Sequence, residues 1–125
     1  MEALRITGTD ESPEVILDPS TAEFKFTGKS LPEDVKEFYL PVLNWIEDYA
    51  KDPIDETVIT FQMEYFNSAS SKQILDILER FAKVNETGKK ISVKWLYIED
   101  DEDMAEAGES YSDIVDIPFE IIPYE

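Results

Sequence analysis

The feature that most constrains the fold is the alternation of strand-like and helix-like segments along the second half of the chain. A run rich in β-branched and aromatic residues at 57–66 and a second strand-like run at 91–98 enclose an amphipathic helical pattern. The acidic segment 99–113 predicts a further helix, which Gly108 weakens, and residues 119–122, between two prolines, predict an edge strand. Strands that alternate with helices are typical of crossover connections, so we expect a largely parallel or mixed sheet.

The first half of the chain predicts three short strands followed by one helix. Residues 4–6, residues 15–17 and the alternating run 22–28 are typical of half-buried strands, which we expect to form a meander. Either Ser30 or the segment Pro32-Glu33-Asp34 is expected to supply the start of a helix, and Pro41 is expected to kink or split it. Its apolar stripe comprises Val35, Phe38, Val42, Trp45, Ile46 and Tyr49.

The size and apolar content of the chain suit one domain with one core. It has 125 residues, of which 42% are hydrophobic. No repeat, linker or break in composition indicates a second unit. We therefore predict a single α/β domain over residues 1–125, with a mixed β-sheet and amphipathic helices packed on it.

Two absent residue types limit the chemistry that the chain can perform. Without cysteine it has no disulfide, no thiolate metal site and no thiol nucleophile. Without histidine it lacks the commonest general base and metal ligand. No glycine-rich phosphate-binding loop is present, so no nucleotide cofactor is expected. These features predict a non-catalytic protein with no cofactor and no bound metal.

The charge balance limits the partners. The chain carries 29 acidic and 11 basic residues, a formal net charge of -18. Such a field repels phosphate backbones and anionic membrane surfaces, so neither nucleic acid nor membrane is expected as a partner. The first residues do not have the pattern of a signal peptide, and no apolar stretch reaches the roughly 20 residues of a membrane helix. We expect a cytoplasmic protein.

A cluster of serines lies where the long strand-like run ends and the next helical pattern begins. Its sequence from residue 67 to 72 is Asn-Ser-Ala-Ser-Ser-Lys. The first turn of a helix has unpaired backbone N–H groups, and the helix dipole favours an anion there. A phosphate on one of these serines could therefore be stabilised locally and would change the surface charge. The alternative is structural, because Ser and Asn are also the preferred N-caps of helices.

Several motifs along the chain are shared with one protein family. The most specific are Tyr65-Phe66-Asn67-Ser68-Ala69-Ser70-Ser71-Lys72 and the Leu75-Asp76-Ile77 that follows. The others are Ile6-Thr7-Gly8-Thr9 with Pro13, Val93-Lys94-Trp95 with Tyr97, and Pro118-Phe119. On these motifs the chain resembles the SiaC family of bacterial regulatory phosphoproteins, whose fold is similar to the STAS domains of anti-sigma-factor antagonists. The resemblance spans essentially the whole chain and implies a STAS-like architecture.

The resemblance also implies a switch. Ser68, which directly follows Asn67, would be the phosphorylated residue, with Ser70 and Ser71 as alternatives. A dedicated serine/threonine kinase would add the phosphate, and a metal-dependent protein phosphatase would remove it. The unmodified protein would bind and activate a diguanylate cyclase, which makes cyclic di-GMP and promotes aggregation or biofilm growth. The partner-binding residues would be a loop of Asn67, Ser68, Ala69, Ser70, Ser71 and Lys72, with the helix that follows it.

Two functions of other classes compete with the switch. The acidic run Glu99–Asp103 has the hard oxygen ligands that a metal-dependent carboxylate enzyme would use, although the EF-hand pattern is absent. The same acidic region could instead make the protein a decoy that binds a basic partner. A Ser–Lys nucleophile is disfavoured because no partner motif accompanies Ser68 and Lys72. Lys72 is expected to face solvent or to pair with Asp76.

Overall fold

The chain folds into six strands and three helices, and the computed structural model describes all residues from 1 to 125. The strands are β1 (Leu4–Ile6), β2 (Glu14–Asp18), β3 (Glu23–Ser30), β4 (Glu56–Phe66), β5 (Lys90–Ile98) and β6 (Phe119–Tyr124). The helices are α1 (Val35–Tyr49), α2 (Ser68–Asn85) and α3 (Glu102–Ile114). No helix of this fold has the length and hydrophobicity of a transmembrane segment.

All six strands belong to one sheet, in which they lie side by side in chain order. β1, β2 and β3 pair antiparallel, which confirms the predicted meander. β3, β4, β5 and β6 pair in parallel through helical connections, which confirms the predicted mixed sheet. β6 is an edge strand, as predicted, and it accommodates Pro123 because one side of an edge strand needs no hydrogen-bond donor.

The hydrophobic core lies between one face of the sheet and the helices. Because the order of the parallel strands never reverses, right-handed crossovers place the helices on the same face. Alternate residues along the strands are buried against them. The largest fully buried side chains of the strands are Leu17, Phe24, Phe26, Ile59, Phe61 and Trp95.

Helix α1 is continuous from Val35 to Tyr49 although Pro41 lies within it. Of the two expected effects of Pro41, splitting of the helix is therefore wrong, and a kink stays a prediction. Proline removes one N–H donor, which leaves the carbonyl group of Glu37 without its helical partner. Both residues are exposed, so water can bind that carbonyl group. The start of α1 is stabilised by Asp34, whose carboxylate accepts a hydrogen bond from the Glu37 N–H at 3.1 Å.

The acidic segment after β5 is helical, as predicted, and Gly108 has a packing role in it. Gly108 is buried against the indole ring of Trp95, and a Cβ atom there would lie 2.5 Å from Trp95 Cδ1. The Trp95 Nε1–H also donates a hydrogen bond to the carbonyl group of Met104 at 2.9 Å. The glycine thus allows α3 to approach the sheet closely enough for this bond to form.

The ends of β3 and β4 place two helix starts at the same edge of the sheet. Ser30 is the last residue of β3 and lies opposite Phe66, the last residue of β4. Parallel strands end at a common edge, so the connections that follow them begin close together. The serine cluster lies at this edge because α2 follows β4 after a single residue.

Asp18, at the end of β2, is a buried carboxylate with three hydrogen-bond donors. The Ser20 hydroxyl donates to it at 2.7 Å and the Ser20 N–H at 3.0 Å, and Arg5 donates from Nη2 at 2.7 Å. The hydrogen bond from the Ser20 side chain, opposed by burial and assisted by Arg5, lowers the pKa of Asp18 from 3.8 to about 2.

Replacing Gly108 by alanine should destabilise the fold. The new methyl group would collide with Trp95, and such overpacking costs about 1–3 kcal/mol. Urea unfolding followed by tryptophan fluorescence measures the change. Ser110→Ala, at an exposed position of the same helix, should leave stability nearly unchanged. A Gly108→Ala protein as stable as the wild type would contradict the packing role.

The contribution of Asp18 to stability should be lost when the pH is lowered. Because its pKa is lower in the folded protein, its carboxylate stabilises the fold above pH 4, and this contribution disappears as the pH falls to about 2. In Asp18→Asn, unfolding free energies measured by urea titration should depend less steeply on pH in this window. Asp100→Asn, which removes an exposed carboxylate, is the control. Equal slopes in the wild type and Asp18→Asn would refute the prediction.

Candidate functional site

Asn67 forms the whole connection between β4 and α2. Its side-chain Oδ1 accepts a hydrogen bond from the Ser70 N–H at 2.9 Å, and its carbonyl group accepts one from the Ser71 N–H at 2.9 Å. Asn67 is therefore the N-cap of α2, and the residues from Ser68 to Lys72 form its first turn. The expectation of a loop from Asn67 to Lys72 is wrong, because the cap allows the helix to begin immediately after the strand.

The three serines of this turn have different environments. Ser68 is exposed and its side chain makes no hydrogen bond. Ser70 is fully buried, and its hydroxyl donates to the carbonyl group of Ser30 at 2.8 Å. Ser71 is half-buried, and its Oγ lies 2.9 Å from the hydroxyl oxygen of Tyr111. Ser70 and Ser71 are thus engaged in tertiary hydrogen bonds, and Ser68 is free.

A buried group of hydroxyls lies directly beneath the first turn of α2. The Ser30 hydroxyl donates to Ser70 Oγ at 2.8 Å, and the hydroxyl oxygen of Tyr39 lies 2.5 Å from Ser30 Oγ. Because the Ser30 proton is already used, Tyr39 is the donor in the second bond. Burial raises the pKa of Tyr39 to about 12, so this hydroxyl keeps its proton over the physiological range.

Tyr111 joins α3 to the other side of the same turn. Its hydroxyl donates to the carbonyl group of Ser71 at 2.9 Å. Burial raises the pKa of Tyr111, so this hydroxyl also remains a donor at neutral pH. The first turn of α2 is therefore held from below by β3 and α1 and from one side by α3.

Ser68 lies at a shallow depression of about 430 Å³ lined by Phe66, Asn67, Ser68, Ser71 and Lys72. The Lys72 side chain is exposed and forms no salt bridge. Of the two alternatives predicted for Lys72, exposure to solvent is confirmed and pairing with Asp76 is not found, because Asp76 accepts a hydrogen bond from Arg80 at 2.9 Å. One turn of helix separates Ser68 from Lys72, so the two side chains lie on the same face of α2.

The acidic run after β5 begins α3. The Asp101 carboxylate caps the helix by accepting a hydrogen bond from the Met104 N–H at 3.0 Å, and Glu102 and Asp103 lie in the first turn. Acids at these positions interact favourably with the helix dipole. No group of three or more Asp or Glu side chains converges in a way that could hold a metal ion.

The largest depression, about 690 Å³, is at the opposite end of α1, around Trp45. The Trp45 Nε1–H donates to the carbonyl group of Glu2 at 2.9 Å, which fixes the start of the chain against this helix. The depression is lined by Met1, Glu2, Pro19, Trp45, Asp48, Lys51, Asp52 and Ile54. It is distant from the serine cluster, and the sequence did not indicate it.

The sequence did not indicate the residues that support the serine cluster, namely Ser30, Tyr39 and Tyr111. The sequence offers Ser30 only as a candidate helix start, a role that Asp34 takes instead, and only the fold brings Ser30 next to Ser70, which is 40 residues later. Tyr39 could have been found, because it precedes Val42 by three residues and Ile46 by seven, which are helical spacings. Nothing in the sequence pattern predicts the contact between Tyr111 and Ser71.

Known proteins share this fold over its whole length. SiaC of Pseudomonas aeruginosa has a structure that superposes with a TM-score of 0.89 at 26% identity, covering 99% of this chain and 100% of that chain. The crystal structure of the diguanylate cyclase SiaD in complex with its activator SiaC, from the same organism, has a matching chain. The TM-score there is 0.90 at 27% identity, with 97% of this chain and 99% of that chain covered.

The sequence comparisons agree with the structural ones. An uncharacterized protein of Pseudomonas aeruginosa strain UCBPP-PA14 is 28% identical over 121 residues, which cover 97% of this chain and 96% of that protein. The family model described as SiaC family regulatory phosphoprotein matches residues 6–124. The resemblance noted in the sequence motifs is thereby confirmed, and this chain belongs to the SiaC family of regulatory phosphoproteins.

Proposed function

We propose that this protein is a non-catalytic cytoplasmic switch whose state is set by phosphorylation of Ser68. The observation that carries the proposal is the difference between the serines of α2. Ser68 is exposed and unbonded, whereas Ser70 is fully buried and Ser71 is hydrogen-bonded to Tyr111. A kinase must reach the hydroxyl that it modifies, and only Ser68 offers an accessible one without a tertiary contact.

The charge pattern of the helix starts supports the same residue. α1 begins with Asp34 and Glu37, and α3 begins with Asp101 followed by two further acids. α2 has the neutral cap Asn67 and no acid in its first turn, in a chain with 29 acidic residues. A phosphate on Ser68 would place about -1.5 to -2 charges at this helix start, where the dipole favours them.

The partner is proposed from the family likeness. The structure of SiaD in complex with its activator SiaC supports a diguanylate cyclase as the protein that the unmodified form binds and activates. The surface would comprise the accessible part of the turn, namely the half-buried Asn67 and the exposed Ser68, Ala69 and Lys72, with α2 behind it. The buried Ser70 side chain would contribute only through the position of the turn.

Phosphorylation would oppose this binding. A phosphate adds bulk and negative charge to a surface that fits the unmodified hydroxyl, and a desolvated unpaired charge at an interface costs several kcal/mol. A serine/threonine kinase would add the phosphate and a metal-dependent protein phosphatase would remove it. The cyclase would thus be active only when the phosphatase prevails.

Phosphate should be found on Ser68 in protein purified from its native host. Intact-mass measurement and tandem mass spectrometry, with a phosphatase-treated control, locate the modification. Because Ser70 is buried and Ser71 is bonded to Tyr111, neither should carry phosphate in the folded wild-type protein. Phosphate on Ser71 alone would move the site by one helical turn, and its absence under all growth conditions would remove the basis of the switch.

Replacing Ser68 by aspartate should weaken the binding of the cyclase by at least about tenfold, because a charge at a docking surface costs more than about 1.4 kcal/mol when it is desolvated. Ser68→Ala should bind like the wild type. Calorimetric titration with a purified diguanylate cyclase of the same organism measures the affinities. Ser110→Asp, an equal charge change at an exposed position of α3, is the matched control. Equal affinities for Ser68→Asp and Ser68→Ala would exclude the mechanism.

A further inference from the structure

We infer that Ser30, Tyr39 and Ser70 form a buried anchor that fixes the first turn of α2 and confines phosphorylation to Ser68. The inference rests on the proposed function and specifies how the modified residue is selected. The three residues come from β3, α1 and α2, and each is at most 1% exposed. They are positioning residues, since they act on Ser68 through the helix that carries it.

The hydrogen bonds of the anchor form one directed chain. The Tyr39 hydroxyl donates to Ser30 Oγ, the Ser30 hydroxyl donates to Ser70 Oγ, and the Ser70 hydroxyl donates to the Ser30 carbonyl oxygen. Each of the three protons is used once, so no buried donor is left without an acceptor. The Ser30 carbonyl oxygen also accepts the Asn67 N–H at 3.1 Å.

These bonds fix the helix start from two positions. Asn67 is held by its backbone and Ser70 by its side chain, and both are bound to the same residue of β3. Ser68 lies between them in the sequence, so its backbone has little freedom to move. The two residues are about 200° apart on a helix. The orientation of the helix that points Ser70 toward the interior therefore points Ser68 toward solvent.

The anchor also protects Ser70. For a kinase to reach its Oγ, the first turn of α2 must open, and both Ser70 side-chain bonds to Ser30 must break. Loss of the anchor lowers the cost of this opening. The consequence is specific, since it changes which serine is modified and not only how stable the protein is.

The test uses the unmodified sequence and the variants Ser30→Ala and Tyr39→Phe. Ser30→Ala leaves the Tyr39 hydroxyl as a buried donor without an acceptor, whereas Tyr39→Phe only shortens the hydrogen-bond chain and is the milder change. Tyr49→Phe is the matched control. Tyr49 is another buried tyrosine of α1, and its hydroxyl bonds to Thr57 at 2.8 Å at the opposite end of the helix.

Two readouts are made on each protein. Amide hydrogen exchange of residues 67–73, followed by mass spectrometry, reports the opening of the turn without any phosphorylation. In Ser30→Ala it should accelerate by about tenfold, the effect of losing roughly one buried hydrogen bond, and in Tyr39→Phe by less. Tandem mass spectrometry of the proteins expressed in the native host should find phosphate on Ser68 alone in the wild type and partly on Ser70 in Ser30→Ala.

The outcomes separate the two proposals. If residues 67–73 of both anchor variants exchange at the wild-type rate and phosphate is confined to Ser68, the proposed role of the anchor is wrong and the proposed switch is unaffected. Equal acceleration in Tyr49→Phe would also overturn the role of the anchor, because general destabilisation would then explain the result. Absence of phosphate from every protein would overturn the switch and the confinement to Ser68, while faster exchange in the anchor variants alone would still support the positioning role.

Discussion

The Ser30 carbonyl group accepts hydrogen bonds from the Asn67 N–H and from the Ser70 hydroxyl, and these bonds join the end of β3 to the start of α2. The arrangement of the serine cluster at this edge of the sheet depends on these two hydrogen bonds. β3 and β4 run in parallel, so their ends already lie side by side, but the sheet register alone does not determine how α2 is rotated as it leaves the strand. The Ser70 hydroxyl fixes that rotation at the helix start, in agreement with the apolar stripe of α2, because it must point toward β3 to donate to the Ser30 carbonyl group and to accept from the Ser30 hydroxyl.

The start of α2 differs in charge from the starts of α1 and α3. Acids cap or begin α1 and α3, and each compensates the positive end of a helix dipole. At α2 the cap is an uncharged amide and the nearest charged side chain in the turn is Lys72. A net charge of -18 repels anions from the molecule as a whole, yet this short segment retains a local preference for one. Under the proposed switch, a phosphate on Ser68 would use that preference, because the covalent bond would hold the anion in place against the long-range repulsion.

The sequence was sufficient for the fold because its strands and helices have clear periods. The alternation in β3, the β-branched and aromatic residues of β4 and the apolar stripe of α2 predicted the elements, and their order predicted the parallel pairing. Where the sequence pattern was misleading or gave no signal, contacts with residues distant in the sequence decided the outcome. Pro41 is tolerated in α1 because it lies on the exposed side, and Gly108 is required in α3 because Trp95 fills the space beside it. The partners of Ser70 and Ser71 are each 40 residues away in sequence, so no local pattern could reveal them.

The sequence nevertheless contains a signal that distinguishes the buried Ser70 from the exposed Ser68. Ser70 precedes Ile74 by four residues and Ile77 by seven, which places it on the stripe that α2 buries. Ser68 is displaced from that stripe by about 200° and so faces outward wherever Ser70 faces inward. If the apolar stripe of α2 is extended by one turn toward the N-terminus, it reaches Ser70. This extension would have assigned Ser70 to the interior despite its hydroxyl. A polar residue can occupy that position only if the interior supplies hydrogen-bond partners, as Ser30 does here. The accessibility of Ser68 and the burial of Ser70 are thus two consequences of one helical rotation.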